Sequence, residues 1–363
     1  MPFSAEELAR YQRHLSLAGF GPEAQEKLRH GSVLVIGAGG LGCPALLYLA
    51  AAGVGRIVII DDDRVDVSNL QRQVLYTSED SGQPKADVAA RRLHALNPHI
   101  KIETHAARFT RENALALVRS VDVVLDGSDN FSTRYLVNDA CVLADRPFVY
   151  GAIQGFAGQL SVFNFRGGPT YRCLFPEPPD AGTVPNCAEA GVLGVLPGII
   201  GTAQAAEAIK LLTNIGEPLA GRLLLFDALT MGTRTVALAV EPRSREIHEL
   251  PPDNYGETCE LNFAGAQEIE PAELRAALAK GRPPQLLDVR ESWEREIGTI
   301  TPDVHVPLRD LTRGAPGLDP LAPTVVYCAV GQRSLVAAQL LRERFGFRAV
   351  ASLRGGIKTW MRQ

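Results

Sequence analysis

The chain has 363 residues, 46% hydrophobic and 21% charged, with a formal net charge of -4 and a pI near 6.0. That length holds two domains with buried cores. The slight acidity gives no bulk attraction to nucleic acid or an anionic membrane, so a small molecule or another protein is the expected partner. No apolar run is expected to reach the ~18 residues that cross a bilayer. The opening Met1-Pro2-Phe3-Ser4-Ala5-Glu6-Glu7 lacks the basic start of a signal peptide, so the expected location is cytoplasmic. Six cysteines (Cys43, Cys141, Cys173, Cys187, Cys259, Cys328) show no disulfide-framework spacing and suit a reducing compartment.

In chain order, short β-branched runs alternate with helical stretches from Ser32 onward. Val33 to Ile36 predicts a strand that leads through a glycine turn into a helix over Pro44 to Ala52. Ile57 to Ile60 predicts a second strand and Val121 to Leu125 another, continuous apolar runs of the kind buried on both faces of a parallel sheet. This is a doubly wound, Rossmann-like α/β domain. After Tyr150, Gln159 to Phe165 and Leu223 to Phe226 read as strands of an antiparallel extension, with a Pro/Gly-rich loop from Gly167 to Pro185 and a helix from about Ile199 to Leu212. Turn-rich residues between Glu241 and Ala266 mark a linker, set at 249–267, between a domain over 1–248 and a second, small α/β domain over 268–363. In that second domain a helix is predicted at Pro271 to Ala279, strands at Gln285 to Val289 and Thr324 to Tyr327, and a helix at Leu335 to Arg344. A short terminal helix opens at Gly355-Gly356 and contains Trp360.

Gly37-Ala38-Gly39-Gly40-Leu41-Gly42 follows a strand and opens a helix, so its backbone can approach phosphates. Asp61 ends the next strand, placed for ribose hydroxyls. Alone, this pattern equally fits NAD in a dehydrogenase. Arg72, within Ser68-Asn69-Leu70-Gln71-Arg72-Gln73, and Lys85, in Gly82-Gln83-Pro84-Lys85, add two cations suited to a triphosphate rather than to hydride transfer. Asp129, in Asp126-Gly127-Ser128-Asp129-Asn130, falls at the carboxyl edge of the sheet, where it could hold Mg2+.

Near the other end, Cys328-Ala-Val-Gly331-Gln-Arg333-Ser334 follows a buried strand, and the helix is expected to start only after Arg333-Ser334. Backbone N–H groups can then converge on the sulfur, with Arg333 nearby favouring an anionic thiolate or persulfide. The Cys-x4-Arg interval is one residue shorter than the Cys-x5-Arg cradle of protein tyrosine phosphatases, which favours sulfur over phosphate.

Arg10-Tyr11-Gln12-Arg13-His14, the glycine turn, the Ser68 to Gln73 stretch, Gln83-Pro84-Lys85 and Ser128-Asp129-Asn130, in that order over about the first 250 residues, resemble the ThiF/MoeB/MoeZ family, prokaryotic relatives of ubiquitin-activating enzymes. The resemblance implies ATP-dependent adenylation of the C-terminal Gly-Gly of a ubiquitin-like sulfur carrier protein. ATP is then bound by Gly37, Gly39, Gly40, Gly42, Asp61, Asp63, Ser68, Asn69, Leu70, Gln71, Arg72, Gln73, Lys85, Asp129 and Asn130, with Asp129 on magnesium. Arg13 reaches the other subunit of a homodimer as an arginine finger. Cys187, on a loop that crosses the site in this family, is either a covalent nucleophile or a dispensable thiol.

The Cys328 loop, with Leu287-Asp288-Val289-Arg290, Trp293-Glu294 and Gly355 to Trp360, is similar to the rhodanese family over about residues 268 to 363. That likeness implies a Cys328 persulfide loaded by a cysteine desulfurase or by thiosulfate. The two resemblances together imply an adenylyltransferase and sulfurtransferase of the MoeZ-type branch. The rival readings are an NAD-binding oxidoreductase with an accessory rhodanese domain and a non-catalytic scaffold for ubiquitin-like proteins. Family members often carry two Cys-x-x-Cys pairs on a structural zinc. Here Thr170 to Cys173 and Glu257 to Glu260 supply one cysteine each, so no zinc is expected.

Overall fold

The computed structural model describes residues 3–178, 191–251, 255, 267–279 and 283–362. The chain divides into two compact units, Met1–Cys259 and Glu260–Gln363.

The first unit opens with helices α1 (Ala5–Leu15) and α2 (Gly21–His30). An eight-stranded sheet follows, built from β1 (Ser32–Ile36), β2 (Arg56–Ile60), β3 (Lys101–His105), β4 (Val123–Asp126), β5 (Phe148–Gln154), β6 (Ala157–Phe163), β7 (Arg222–Asp227) and β8 (Gly232–Ala237). Its order is β3-β2-β1-β4-β5-β6-β7-β8. The first five are parallel, and β6, β7 and β8 are each antiparallel to the strand before. Helices α3 (Gly42–Ala52), α4 (Lys85–Leu96), α5 (Arg111–Arg119), α6 (Phe131–Ala144), α7 (Tyr171–Leu174) and α8 (Val195–Thr213) complete the unit.

The continuous apolar strands are explained by their period of two. Val33, Val35, Ile57, Ile59 and Leu125 belong to one buried cluster, and their neighbours Leu34, Ile36, Val58, Ile60 and Val124 to another on the opposite face. With each such side chain contributing about 1.5–3 kcal/mol on burial, these strands are fixed in register from both sides. Since β2 and β4 flank β1, the order in which strands are laid down reverses at β1, and the carboxyl ends of β1 and β4 frame the crevice in which such sheets bind ligands.

Several expectations need correction. Strand β8 has no counterpart in the sequence reading, and β5 begins at Phe148, before the point at which the pattern was read as changing. The Gly167 to Pro185 stretch contains α7; its residues from 179 on lie outside the described residues. One helix, α8, does reach the length and apolarity of a membrane span. It is a core helix, with Leu196, Ile200, Ala205 and Ala208 buried in the two clusters it joins. Its Glu207 is buried beside Lys210 at 2.5 Å and accepts the Leu219 N–H at 2.9 Å. Within the stretch expected as linker, Leu250 and Tyr255 are buried in the first unit's core.

The second unit is a five-stranded parallel sheet, order β11-β10-β12-β13-β9. Its strands are β9 (Gln267–Ile269), β10 (Gln285–Asp288), β11 (Val304–His305), β12 (Thr324–Tyr327) and β13 (Val350–Leu353). Helices α9 (Pro271–Leu278), α10 (Leu308–Leu311), α11 (Gln332–Phe345) and α12 (Gly356–Trp360) surround it. Val326 and Cys328 share one buried cluster while Val325 and Tyr327 share the other, so the cysteine continues the alternation of the central strand. Helix α11 begins at Gln332, earlier than expected, because Gly331 at φ 101° turns the chain directly into it. Arg333 and Ser334 therefore ride on its first turn.

Candidate functional site

In the first unit the glycine turn joins β1 to α3 at the switch point. The Gly37 N–H bonds Ile60 O at 2.9 Å, tying the turn to the end of β2. A Cβ added to Gly42 would lie 2.0 Å from Gly37 O, so only glycine lets the helix start this close to the strand. Helix α3 has no side-chain N-cap; the Cys43 N–H goes to Gly39 O at 2.9 Å, the Ala45 N–H to Leu41 O at 3.4 Å, and Pro44 has none, so the backbone that can meet a phosphate is that of the glycine turn before them. The Asp61 carboxylate accepts the Ala38 N–H at 2.7 Å and the Asp63 N–H at 2.8 Å. Burial pushes its pKa above the ordinary carboxylate value against the pull of Lys85. Lys85 is the first residue of α4, 3% exposed, with Nζ 2.7 Å from Asp63 Oδ2.

The Ser68 to Gln73 stretch begins in a one-turn 3-10 helix held by Asp66, whose carboxylate accepts the Ser68 N–H and hydroxyl. Ser68 and Gln71 are exposed, and Asn69, Leu70 and Arg72 half-buried. The Arg72 side chain lies beside Gly40, and Gln73 is buried beside Gly39 with Oε1 lacking a protein partner. Asn130 caps α6 by accepting the Thr133 N–H. Asp129, next to it, is exposed. Among the described residues, no three His, Cys, Asp or Glu side chains converge as a metal site. One exposed carboxylate fits magnesium, which is commonly bound by one or two carboxylates plus phosphates. The glycine cradle, the unpartnered Gln73 oxygen and buried Lys85 likewise fit a nucleotide polyphosphate. Arg13 is exposed on α1, and Cys187 lies outside the described residues.

The turn from Asp63 to Lys85 is braced by Asp80, which accepts from Thr77, Arg91 and Arg92. Burial raises its pKa, but the Thr77 and Arg92 hydrogen bonds win and hold it down to about 2. Its stabilising effect is full above the unfolded carboxylate pKa of about 3.9 and is lost as pH falls through about 2. Asp80→Asn is expected to lower the urea midpoint at pH 5 and to flatten its decline between pH 4 and pH 2.

The sequence reading expects no zinc on Cys173 and names no partner for it. Cys259 lies outside the described residues, and Cys173 instead meets Glu241 and Ser244. Its Sγ accepts the N–H groups of Thr170 and Glu241, each at 3.3 Å, and sits 3.1 Å from Ser244 Oγ. Burial raises its pKa, yet these hydrogen bonds outweigh it and leave the thiol below its ordinary value. Among the described residues, N–H donors and a hydroxyl, rather than further thiolates or imidazoles, are the hydrogen-bond partners of this sulfur.

In the second unit Cys328 is fully buried at the end of β12. Its Sγ accepts the Gly331 N–H at 3.1 Å and lies 3.5 Å from Ser334 Oγ. The loop is held from behind, because Ile357 and Lys358 donate their N–H groups to Cys328 O and Ala329 O. A Cβ on Gly356 would lie 2.4 Å from Cys328 O, so glycine is needed there. The Arg333 guanidinium makes a bidentate pair with Glu294 at 2.7 and 2.5 Å, a partner to which the sequence reading gives no role. Burial raises the Glu294 pKa, but Arg333 overrides it and the carboxyl stays below its usual value. Arg290, bidentate on Asp288, donates to the carbonyls of Glu294 and Gly298 and so backs that pair.

Sequence reasoning gave no role to Ser334 or its partner Ser352, whose hydroxyls meet 2.8 Å apart beside Gly331 O. Ser334 was visible inside the motif; Ser352 carried no local signal. Tyr76, considered below, was missed in the same way.

Fold and geometry together define a two-part protein: a Rossmann-like domain with a glycine turn at its switch point and a rhodanese-like domain with a buried cysteine at the head of a loop. The ThiF family profile matches residues 11–246 and the rhodanese-like domain profile residues 270–363. The chain belongs to the ThiF family. It is 56% identical to a sulfur carrier protein adenylyltransferase of Thermus thermophilus over 67% of this chain and 92% of that protein. It is 45% identical to a probable adenylyltransferase/sulfurtransferase MoeZ of Mycobacterium tuberculosis over 99% of this chain and 94% of that one. The crystal structure of E. coli MccB with ATP shares the fold at TM-score 0.56 and 22% identity, covering 66% of this chain and 73% of the other.

Proposed function

We propose that the chain adenylates the C-terminal Gly-Gly of a ubiquitin-like sulfur carrier protein and then converts it to a thiocarboxylate with sulfur from Cys328. Supporting this reading above all is the presence, in one chain, of a buried lysine near a glycine cradle and a buried cysteine whose sulfur accepts a loop N–H. It is an enzyme of two activities, an adenylyltransferase and a sulfurtransferase, and the NAD reading leaves Lys85 and Arg72 without a task.

In the first step a carboxylate oxygen of the carrier bonds to the α-phosphorus of ATP, the bond to the β-phosphate breaks, and pyrophosphate leaves. The backbone of the turn through Gly37, Gly39, Gly40 and Gly42 receives the phosphates; Asp61 and Asp63 take the ribose side. Ser68, Asn69, Leu70, Gln71 and Gln73 line the cleft and Asn130 its far wall. Arg72 and Lys85 offset the charge that develops on the leaving phosphates. Magnesium, when held by Asp129, adds to that charge neutralisation. Arg13 of a second copy completes the site in a homodimer.

In the second step the outer sulfur of a Cys328 persulfide attacks the acyl carbon and AMP leaves with the electron pair of the broken C–O bond. The resulting acyl disulfide is cleaved by a thiol, either Cys187 or a small thiol, whose sulfur forms a new disulfide as the thiocarboxylate departs. Gly331 and Ser334 hydrogen-bond the sulfur, and Arg333 acts from its pair with Glu294. A cysteine desulfurase or thiosulfate supplies the sulfur. The domains divide near residues 249–267, and the enzyme works in the cytoplasm without nucleic acid or membrane.

The test is ATP–pyrophosphate exchange with purified chain, magnesium and diglycine-tailed proteins. Exchange that requires such a protein is expected; its absence with every one of them refutes the reading.

A further inference from the structure

The Ala38 peptide groups, in the middle of the glycine turn, are gripped from both sides. The Ala38 N–H goes to Asp61, as described, and its carbonyl oxygen accepts the Tyr76 hydroxyl at 2.7 Å and the Cys43 thiol at 3.2 Å. Tyr76 is 5% exposed and Cys43 fully buried. Burial drives the phenol pKa far up and the thiol up to about 12, so both remain protonated donors at ordinary pH. The Tyr76 hydroxyl also lies 3.4 Å from Lys85 O, and the Tyr76 N–H donates to Gln73 O at 3.2 Å. One residue, by its hydroxyl and its backbone N–H, thus joins the glycine turn, the Arg72–Gln73 turn and the start of α4.

A trans peptide points its C=O and the following N–H in opposite directions. Fixing the Ala38 carbonyl toward Tyr76 and Cys43 therefore turns the Gly39 N–H away from both of them. We propose that Tyr76, assisted by Cys43, is a positioning residue for ATP that holds the Ala38–Gly39 peptide in the orientation that presents the Gly39 N–H to the phosphates. This deepens the adenylation reading and rests on it. Nothing in the chemistry asks Tyr76 to touch the nucleotide.

The test uses the full chain and Mg-ATP as the probe, with affinity read by calorimetry. Tyr76→Phe removes one oxygen and keeps the ring. It is expected to weaken ATP binding about 3- to 10-fold, the size of one net hydrogen bond. Cys43→Ala is expected to weaken it about twofold, because a thiol is a weak donor, and the double variant more than either. With a carrier present, Tyr76→Phe should raise KM for ATP and leave kcat within about twofold, as loss of uniform binding does. Thiosulfate:cyanide sulfur transfer, which uses the other unit, should not change. Wild-type affinity in both folded variants, with only a lower melting temperature, overturns the clamp. Failure of the wild-type chain itself to bind ATP overturns the adenylation reading instead, so the two failures are distinct. If Tyr76→Phe does not fold, Cys43→Ala decides.

Discussion

Cys328→Ser is expected to lower thiosulfate:cyanide sulfur transfer by ~10³-fold or more while leaving carrier-dependent pyrophosphate exchange within about twofold of wild type. The serine oxygen fits where the sulfur sits, fully buried, and can still accept the Gly331 N–H. Folding should therefore survive, and what disappears is the ability to carry sulfur as a persulfide. Both assays are run on the same preparation, with thiocarboxylate formation on the carrier followed by mass spectrometry. Equal loss of both activities would sink the division of labour between the two units.

Lys85→Met is expected to do the reverse, cutting adenylation about 10²- to 10³-fold, the cost of removing one preorganised charge from a phosphoryl transition state. Methionine keeps the length of the buried stem. The carboxylate left behind, Asp63, has a side chain 69% exposed, so water can replace the ammonium at little cost in stability. The melting temperature should change by a few degrees at most, and sulfur transfer should stay near wild type. Adenylation within threefold of wild type would remove Lys85 from the chemistry.

The elements read correctly were those in which local pattern and tertiary burial agree. Strands β1, β2 and β12 are apolar at successive positions because both faces are covered, and the glycine turn is legible because Gly42 has no substitute so close to Gly37 O. Strand β8 was missed because all six of its residues, Gly-Thr-Arg-Thr-Val-Ala, are exposed, leaving no hydrophobic alternation to read. The contacts that went unread join distant parts of the chain. Tyr76 meets Ala38 across 38 positions, Arg333 meets Glu294 across 39, and Cys173 meets Ser244 across 71. No window of sequence contains such a pair.

The bidentate grip of Glu294 on Arg333 bears on which donors the second unit prefers. A small dianion such as thiosulfate must compete with a carboxylate already seated on the guanidinium. A persulfide delivered on the cysteine of another protein needs no such exchange, since its own surface supplies the docking energy. Under the sulfur-transfer reading proposed above, the internal ion pair would favour sulfur handed over on another protein's cysteine above dissolved sulfur oxyanions.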